Sequence, residues 1–203
     1  ALPVYAFVIV PLVELVMRPD PKNMEQAEME MAREDKLYDW LLYSVVPLQW
    51  GMMLLLLVEL KFGEWNHWEI AGKIWAAGIG CGVLGINVAH ELGHRNNPKE
   101  QLMAKILLLS SLYMHFFIEH NRGHHMRVST PEDPASSRRG EIVYFFWIRS
   151  VVQSYLSAWE LENSRLRRKG LRVVSLRNEM INYHLIQAAL LLLIGFSFGW
   201  MYM

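Results

Sequence analysis

An all-α, polytopic membrane bundle with a histidine cluster at one face is the fold class that this sequence predicts. Three observations predict it. Apolar residues make up 53% of the 203, and they gather in runs close to the roughly 20 residues that a membrane-spanning helix needs. Five of the eight histidines fall in two short clusters, His90-Glu91-Leu92-Gly93-His94 and His120-Asn121-Arg122-Gly123-His124-His125, where apolar runs meet polar chain. Eleven Lys and Arg lie between Asn121 and Asn178, against two in residues 61–73. That bias marks the former stretch as cytoplasmic.

Composition removes several alternatives. The formal net charge is zero, so no general basic field points to nucleic acid. Cys81 is the one cysteine, which excludes a disulfide framework and a cysteine-based zinc site. The chain is apolar from its first residue, with no basic region ahead, so Ala1 to Met17 is not a complete signal peptide. It also ends inside an apolar run. A single membrane-embedded domain over residues 1–203 is expected, as part of a longer protein cut within a helix at each end.

In order, Leu2 to Met17 reads as the latter part of a span, closed by Arg18-Pro19-Asp20-Pro21, where the prolines forbid helix continuation. Met24 to Asp39 is charged and reads as a solvated helix. Trp40 to Leu60 is a second span, with Trp40 and Trp50 as interfacial anchors. Lys61 to Lys73 reads as a polar turn. Ile74 to Leu92 is a third span, whose Gly78, Gly80, Gly82 and Gly85 allow close helix approach in a membrane. Met103 to Ile118 is apolar again. Ile142 to Leu161 mixes aromatic and charged residues, as a helix lying in the interface does. Ile181 to Met203 begins a last span.

Alternation of the spans brings His90 and His94 to the cytoplasmic face. If residues 103–118 crossed the membrane, the second cluster would emerge about 30 Å away. A shared site therefore requires that this segment lie in or dip into the interface and return.

On a helix, histidines four apart differ by about 40° and about 6 Å, so each cluster can aim two imidazoles at one point. His90-Glu91-Leu92-Gly93-His94 matches the zinc-peptidase pattern H-E-x-x-H. A membrane zinc peptidase is thus one reading, and two helix-end histidines without metal are another. His120, His124 and His125 add three imidazoles, and five exceed the three ligands of a catalytic zinc. Two metals sharing a histidine shell account for all five, and imidazole suits iron as well as zinc.

Asn87–His94, together with Phe116-Phe117-Ile118-Glu119-His120-Asn121-Arg122-Gly123-His124-His125 and Val128 through Asp133-Pro134-Ala135 to Arg138, resembles the integral-membrane alkane 1-monooxygenases. These are di-iron, all-histidine enzymes related to xylene monooxygenases and, more distantly, to membrane fatty-acid desaturases. The resemblance implies that His90, His94, His120, His124 and His125 are catalytic iron ligands. It implies two non-haem irons and O2-dependent hydroxylation of the terminal carbon of n-alkanes to primary alcohols. It also implies electrons from rubredoxin and rubredoxin reductase, and a bacterial inner membrane with the site toward the cytoplasm. A desaturase-type di-iron enzyme is the neighbouring alternative. The family's further motifs, Asn-Tyr-x-Glu-His and Arg-His-x-x-His-His, do not occur before Met203, so the chain is expected to hold part of the iron shell. Asn182-Tyr183-His184 is only superficially similar and is not carried over.

Asn87, Glu91, Glu119 and Asp133 are expected to hold or orient ligand histidines from outside the metal. Glu132 is a further candidate for that role, and Glu119, Glu132 and Asp133 can alternatively meet Arg127 and Arg138. His115, five residues before His120, is about 140° around a helix and faces elsewhere. His67 is not expected to be a ligand. Glu14 is expected to snorkel to water. Ala6 and Phe7 are the candidates to line a substrate channel, and the resemblance implies that a small Ala6 would admit longer alkanes.

Overall fold

The computed structural model describes residues 4–17, 23 and 25–200. Every regular element among them is helical, as expected, and the chain divides into two compact units, Ala1–Val88 and Ala89–Met203.

In the first unit a π-helical turn, Tyr5–Ile9, leads into α1 (Val10–Val16). The break expected at Arg18-Pro19-Asp20-Pro21 lies outside the described residues. The charged stretch after it is two pieces, not one helix. α2 (Gln26–Glu34) stops, and Asp35 caps α3 (Lys36–Phe62) by accepting from the Leu37 N–H at 2.9 Å. This satisfies one of the orphan donors at the start of the long apolar helix. The polar turn expected over residues 61–73 is shorter for a similar reason. Asn66 accepts from the Trp68 and Glu69 amides while Glu69 accepts from the Asn66 amide, a capping box that starts α4 (His67–Gly80) six residues before Lys73. Lys73 then pairs with Glu59 of α3 at 2.6 Å. A second π-helical turn, Cys81–Ile86, continues α4, and Gln49 of α3 donates to the Cys81 sulfur there. α5 (Asn87–His94) follows without a break.

Three described helical stretches are long and apolar enough to cross a membrane: Lys36–Phe62, His67–His94 and Glu179–Phe198. Only 6% and 11% of the apolar windows of the first and last are buried within the protein. Bare apolar helices of this length fit lipid and not water, and the chain is an integral membrane protein.

In the second unit, Asn97 caps α6 (Pro98–Ser110), with Pro98 in the first turn, where its missing N–H costs nothing. At 13 residues α6 is about 20 Å long, too short to span. The chain turns at Leu112, where φ is +53°, and enters the short α7 (Phe116–Glu119). The run 103–118 is therefore a helix, a turn and a second helix start, which brings the chain back without a crossing. A third π-helical turn, His120–His124, runs directly into α8 (His125–Arg127). After an irregular stretch come α9 (Val143–Arg168) and α10 (Glu179–Phe198).

The core of this unit is Leu92, Leu107, Leu108, Ile118, Leu166 and Met180, all fully buried. Beside it lies a fully buried carboxylate, Glu162. Arg165 donates to it twice (2.6 and 2.7 Å), Arg122 once (3.0 Å) and the Glu179 amide once (2.8 Å). Burial pushes the Glu162 carboxyl up, but these donors outweigh burial and hold it below its ordinary value. A fully buried acid is retained only with such partners, and these tie α9 to α10 and to the π-turn.

Candidate metal centre

The two histidine clusters meet. His90 and His94, one turn apart on α5, bring their Nε2 atoms to 3.1 Å. His94 Nε2 also lies 3.0 Å from His120 Nε2 and 3.3 Å from His125 Nε2, and His120 and His125 are 3.0 Å apart. One ligand atom from each of these four residues falls within 4.8 Å of every other. The meeting follows from the path of the chain, since α6 and its turn return it to His90.

The second cluster converges by a geometry that α-helical spacing does not give. The aligned pair is His120 and His125, five apart, whereas regular spacing favours His120 and His124. The cause is the π-turn: the His125 amide reaches back to the His120 carbonyl, an i→i+5 bond that takes in one more residue per turn. The extra residue swings His125 under His120 and turns His124 aside.

His124 remains close, with its ring stacked on that of His120 (centroids 5.3 Å, planes 22° apart). Its Nδ1 donates to Asp133 Oδ2 at 2.9 Å, which leaves the Nε2 lone pair as its donor atom. Asp133 is fixed in turn by the Ser136 hydroxyl at 2.6 Å and the Ala135 amide at 3.0 Å. Burial opposes ionisation of Asp133, but Ser136, Ala135 and His124 together hold its carboxyl below the ordinary range. Asp133 thus fixes the orientation of the His124 ring.

The other expected outer residues are placed differently. Asn87 gives its amide to the Val83 carbonyl at 2.9 Å. Glu91 lies 3.5 Å from the Arg95 guanidinium and is half exposed. Glu119 meets Arg127 at 2.9 Å, and Glu132 is exposed. His115 is buried against Tyr113 and Tyr155, away from the four converging rings. Phe7 is 70% exposed, and the side chain of Ala6 is outside those described.

The donor set fits a metal. A neutral imidazole carries one N–H, so three hydrogen bonds cannot all run through His94 Nε2. Neighbouring nitrogens bound about 2.0–2.1 Å from one ion would be spaced at about 3.0–3.4 Å. Burial, reinforced by the imidazoles of His90, His125, His94 and His124, lowers the pKa of His120 to about 3. It therefore stays neutral, the form that ligates. Sequence reasoning found all four of these residues. It named Arg127 as a partner for Glu119, but not Ser157 or Gly123, which also surround the π-turn, because neither carries a metal-binding side chain.

Residues 63–203 match the fatty acid desaturase family, and the chain belongs to that family. Within the same group of membrane enzymes it is 38% identical to alkane 1-monooxygenase 1 of Pseudomonas aeruginosa, over 99% of this chain and 53% of that protein. It is 36% identical to alkane 1-monooxygenase of Pseudomonas putida, over 94% of this chain and 47% of that protein. A xylene/toluene monooxygenase hydroxylase component from Pseudomonas putida is 31% identical over 77% of this chain and 43% of that protein. The expected resemblance to alkane monooxygenases is thereby borne out. The chain spans about half the length of the relatives it matches.

Proposed function

We propose that this chain is part of a non-haem di-iron monooxygenase, one membrane-embedded domain that hydroxylates the terminal carbon of n-alkanes to primary alcohols. It uses O2 and electrons from rubredoxin and its reductase, in a bacterial inner membrane with the site facing the cytoplasm. The observation that carries the reading is the convergence of His90, His94, His120 and His125 from two separate segments. His124, with its Nε2 free, is the fifth ligand, and Asp133 supports it from outside. Ala6 and Phe7 are the residues proposed to line a substrate channel.

Bound iron would supply the O2-derived oxidising power that no side chain has. The chain's own residues do the rest. Asp133 fixes the tautomer of His124, and burial keeps His120 unprotonated. Phe116 stacks on His120 (4.9 Å, 15°) and lies 6.5 Å from His90, an apolar cover that keeps water from that side of the site. The lipid-facing spans suit a substrate that partitions into the bilayer.

A zinc peptidase needs Glu91 beside an open metal position. Here the Glu91 carboxylate lies toward Arg95, and His120 and His125 join His90 and His94. A desaturase would share the donor set but form an alkene. Metal analysis of the purified full-length protein, with product analysis over a series of n-alkanes, tests the proposal. Iron and primary alcohols are expected; zinc without iron, or alkenes in place of alcohols, would sink it.

A further inference from the structure

A π-helical turn is a less favourable way to wind a chain than an α-helix, so one that persists has an identifiable local cause. At residues 120–124 the surroundings supply one. Glu119 stands immediately before the turn and Arg127 three residues after it. Arg127 Nη2 donates to Glu119 Oε1 at 2.9 Å and to the Ser157 hydroxyl at 2.6 Å, while Arg127 Nε reaches the Gly123 carbonyl at 3.4 Å. The guanidinium thus ties the residue before the turn to the turn's own backbone and to α9.

Gly123 makes room for this contact. A Cβ at position 123 would sit 2.6 Å from both Arg127 Nη2 and Glu119 Oε1, closer than real Cβ contacts come. Position 93, the glycine of the other cluster, is different. A Cβ there would meet Phe117 at 3.6 Å and Asn121 at 3.7 Å, which is ordinary contact. Glu119 is 3% exposed, and its second oxygen, Oε2, is buried with no hydrogen-bond partner among the described residues. Such an oxygen is costly to keep, and the Arg127 guanidinium on Oε1 offsets that cost.

We propose that the Glu119–Arg127 ion pair, seated across Gly123 and anchored on Ser157, is a positioning device that holds residues 120–124 in the π-turn. It thereby sets His120 and His125, five apart, on one metal. Arg127, Ser157 and Gly123 touch no metal and act through the register of the turn. The proposal rests on the metal reading given above. With the clamp removed, the segment relaxes toward α-helical winding, and His125 swings about 140° away from His120.

The test is anaerobic titration of the purified full-length protein with Co(II), reading affinity and the visible ligand-field spectrum. Circular dichroism and a thermal melt are recorded on the same samples. Gly123→Ala and Arg127→Met are expected to weaken cobalt binding at least tenfold and to change the spectrum, while Arg127→Lys restores part of both. Ser157→Ala, which removes only the anchor, is expected to give a smaller shift of the same kind and decides the matter if Gly123→Ala does not fold. Lys73→Met breaks the ion pair to Glu59, which is no part of the clamp. It should lower the melting temperature and leave the spectrum unchanged. Parental affinity and spectrum in folded Arg127→Met and Ser157→Ala would overturn the clamp while leaving the metal site standing. Equal spectral damage from Lys73→Met would reduce the clamp to ordinary stabilisation and overturn it too. Failure of the parent protein to bind cobalt or iron would overturn the metal reading itself, and the clamp with it.

Discussion

The two histidine clusters reach the same point by different windings. On α5, His90 and His94 are four apart in a regular helix, and their rings come to 4.5 Å without help. In the second cluster His120 and His125 are five apart and come to 4.6 Å only because a π-turn lies between them. His115 and His120 are also five apart, with no π-turn between them, and His115 points into the protein against Tyr155. Spacing alone does not decide where a histidine looks; the winding between the two does. The regular pair is set by the helix itself. The irregular pair depends on its surroundings, so damage should reach it by more routes.

The largest effect is expected at His94, the nitrogen that approaches all three others. His94→Ala should cut bound iron more than any substitution outside the four converging residues, read by metal analysis after dialysis against a weak chelator. Retention of parental iron would break the picture of a shared centre. Next comes Asp133→Asn, which preserves size but weakens the hold on His124 Nδ1 and can present the wrong hydrogen-bonding group. Loss of such an outer partner typically costs 10–100-fold in metal affinity, and about that range is expected here. A comparable loss from Asn87→Ala, whose amide is occupied with Val83, would show that the two clusters do not differ as described.

Much of this was legible in the sequence, for physical reasons that also mark where legibility stops. Apolar runs of spanning length and charge asymmetry are properties of composition, so the membrane helices could be read directly. The dip of residues 103–118 followed from requiring two clusters to meet, and the turn at Leu112 supplies it. Helix starts were misplaced at Asp35 and Asn66, because a cap is decided by one hydrogen bond and not by the apolar pattern. The pairing of His120 with His125 was hidden for a deeper reason. It depends on Glu119, Arg127 and Ser157 meeting around Gly123, and Ser157 comes from a helix 30 residues beyond Arg127. No local spacing encodes that meeting.

His115 gives a smaller effect with a definite sign. Burial, and secondarily the charge of His184, lowers its pKa to about 4 from the ordinary 6.5. Below pH 6.5 the unfolded chain takes up a proton that the folded one refuses until about pH 4. Stability from this residue is therefore complete above pH 6.5 and falls as pH drops toward 4, by roughly 1–3 kcal/mol. His115→Phe keeps a ring against Tyr113 and Tyr155 and should flatten that acid loss in the metal-free protein, measured by melts from pH 7 to 4. Iron content should stay parental. Loss of iron would mean that His115 serves the centre after all, and that five-residue spacing without a π-turn can converge.

The smallest effect is expected at Gly93. Its added Cβ meets Phe117 and Asn121 at ordinary contact distance, and alanine favours the α-helical winding that His90 and His94 already use. Gly93→Ala should therefore leave iron binding unchanged and shift stability by no more than about 1 kcal/mol, toward greater stability. The glycines at 93 and 123 each precede a histidine in one of the two clusters, yet only the second is required by what passes over it. An iron loss at position 93 would erase that asymmetry, since it would show the regular helix to be as dependent on its neighbours as the π-turn.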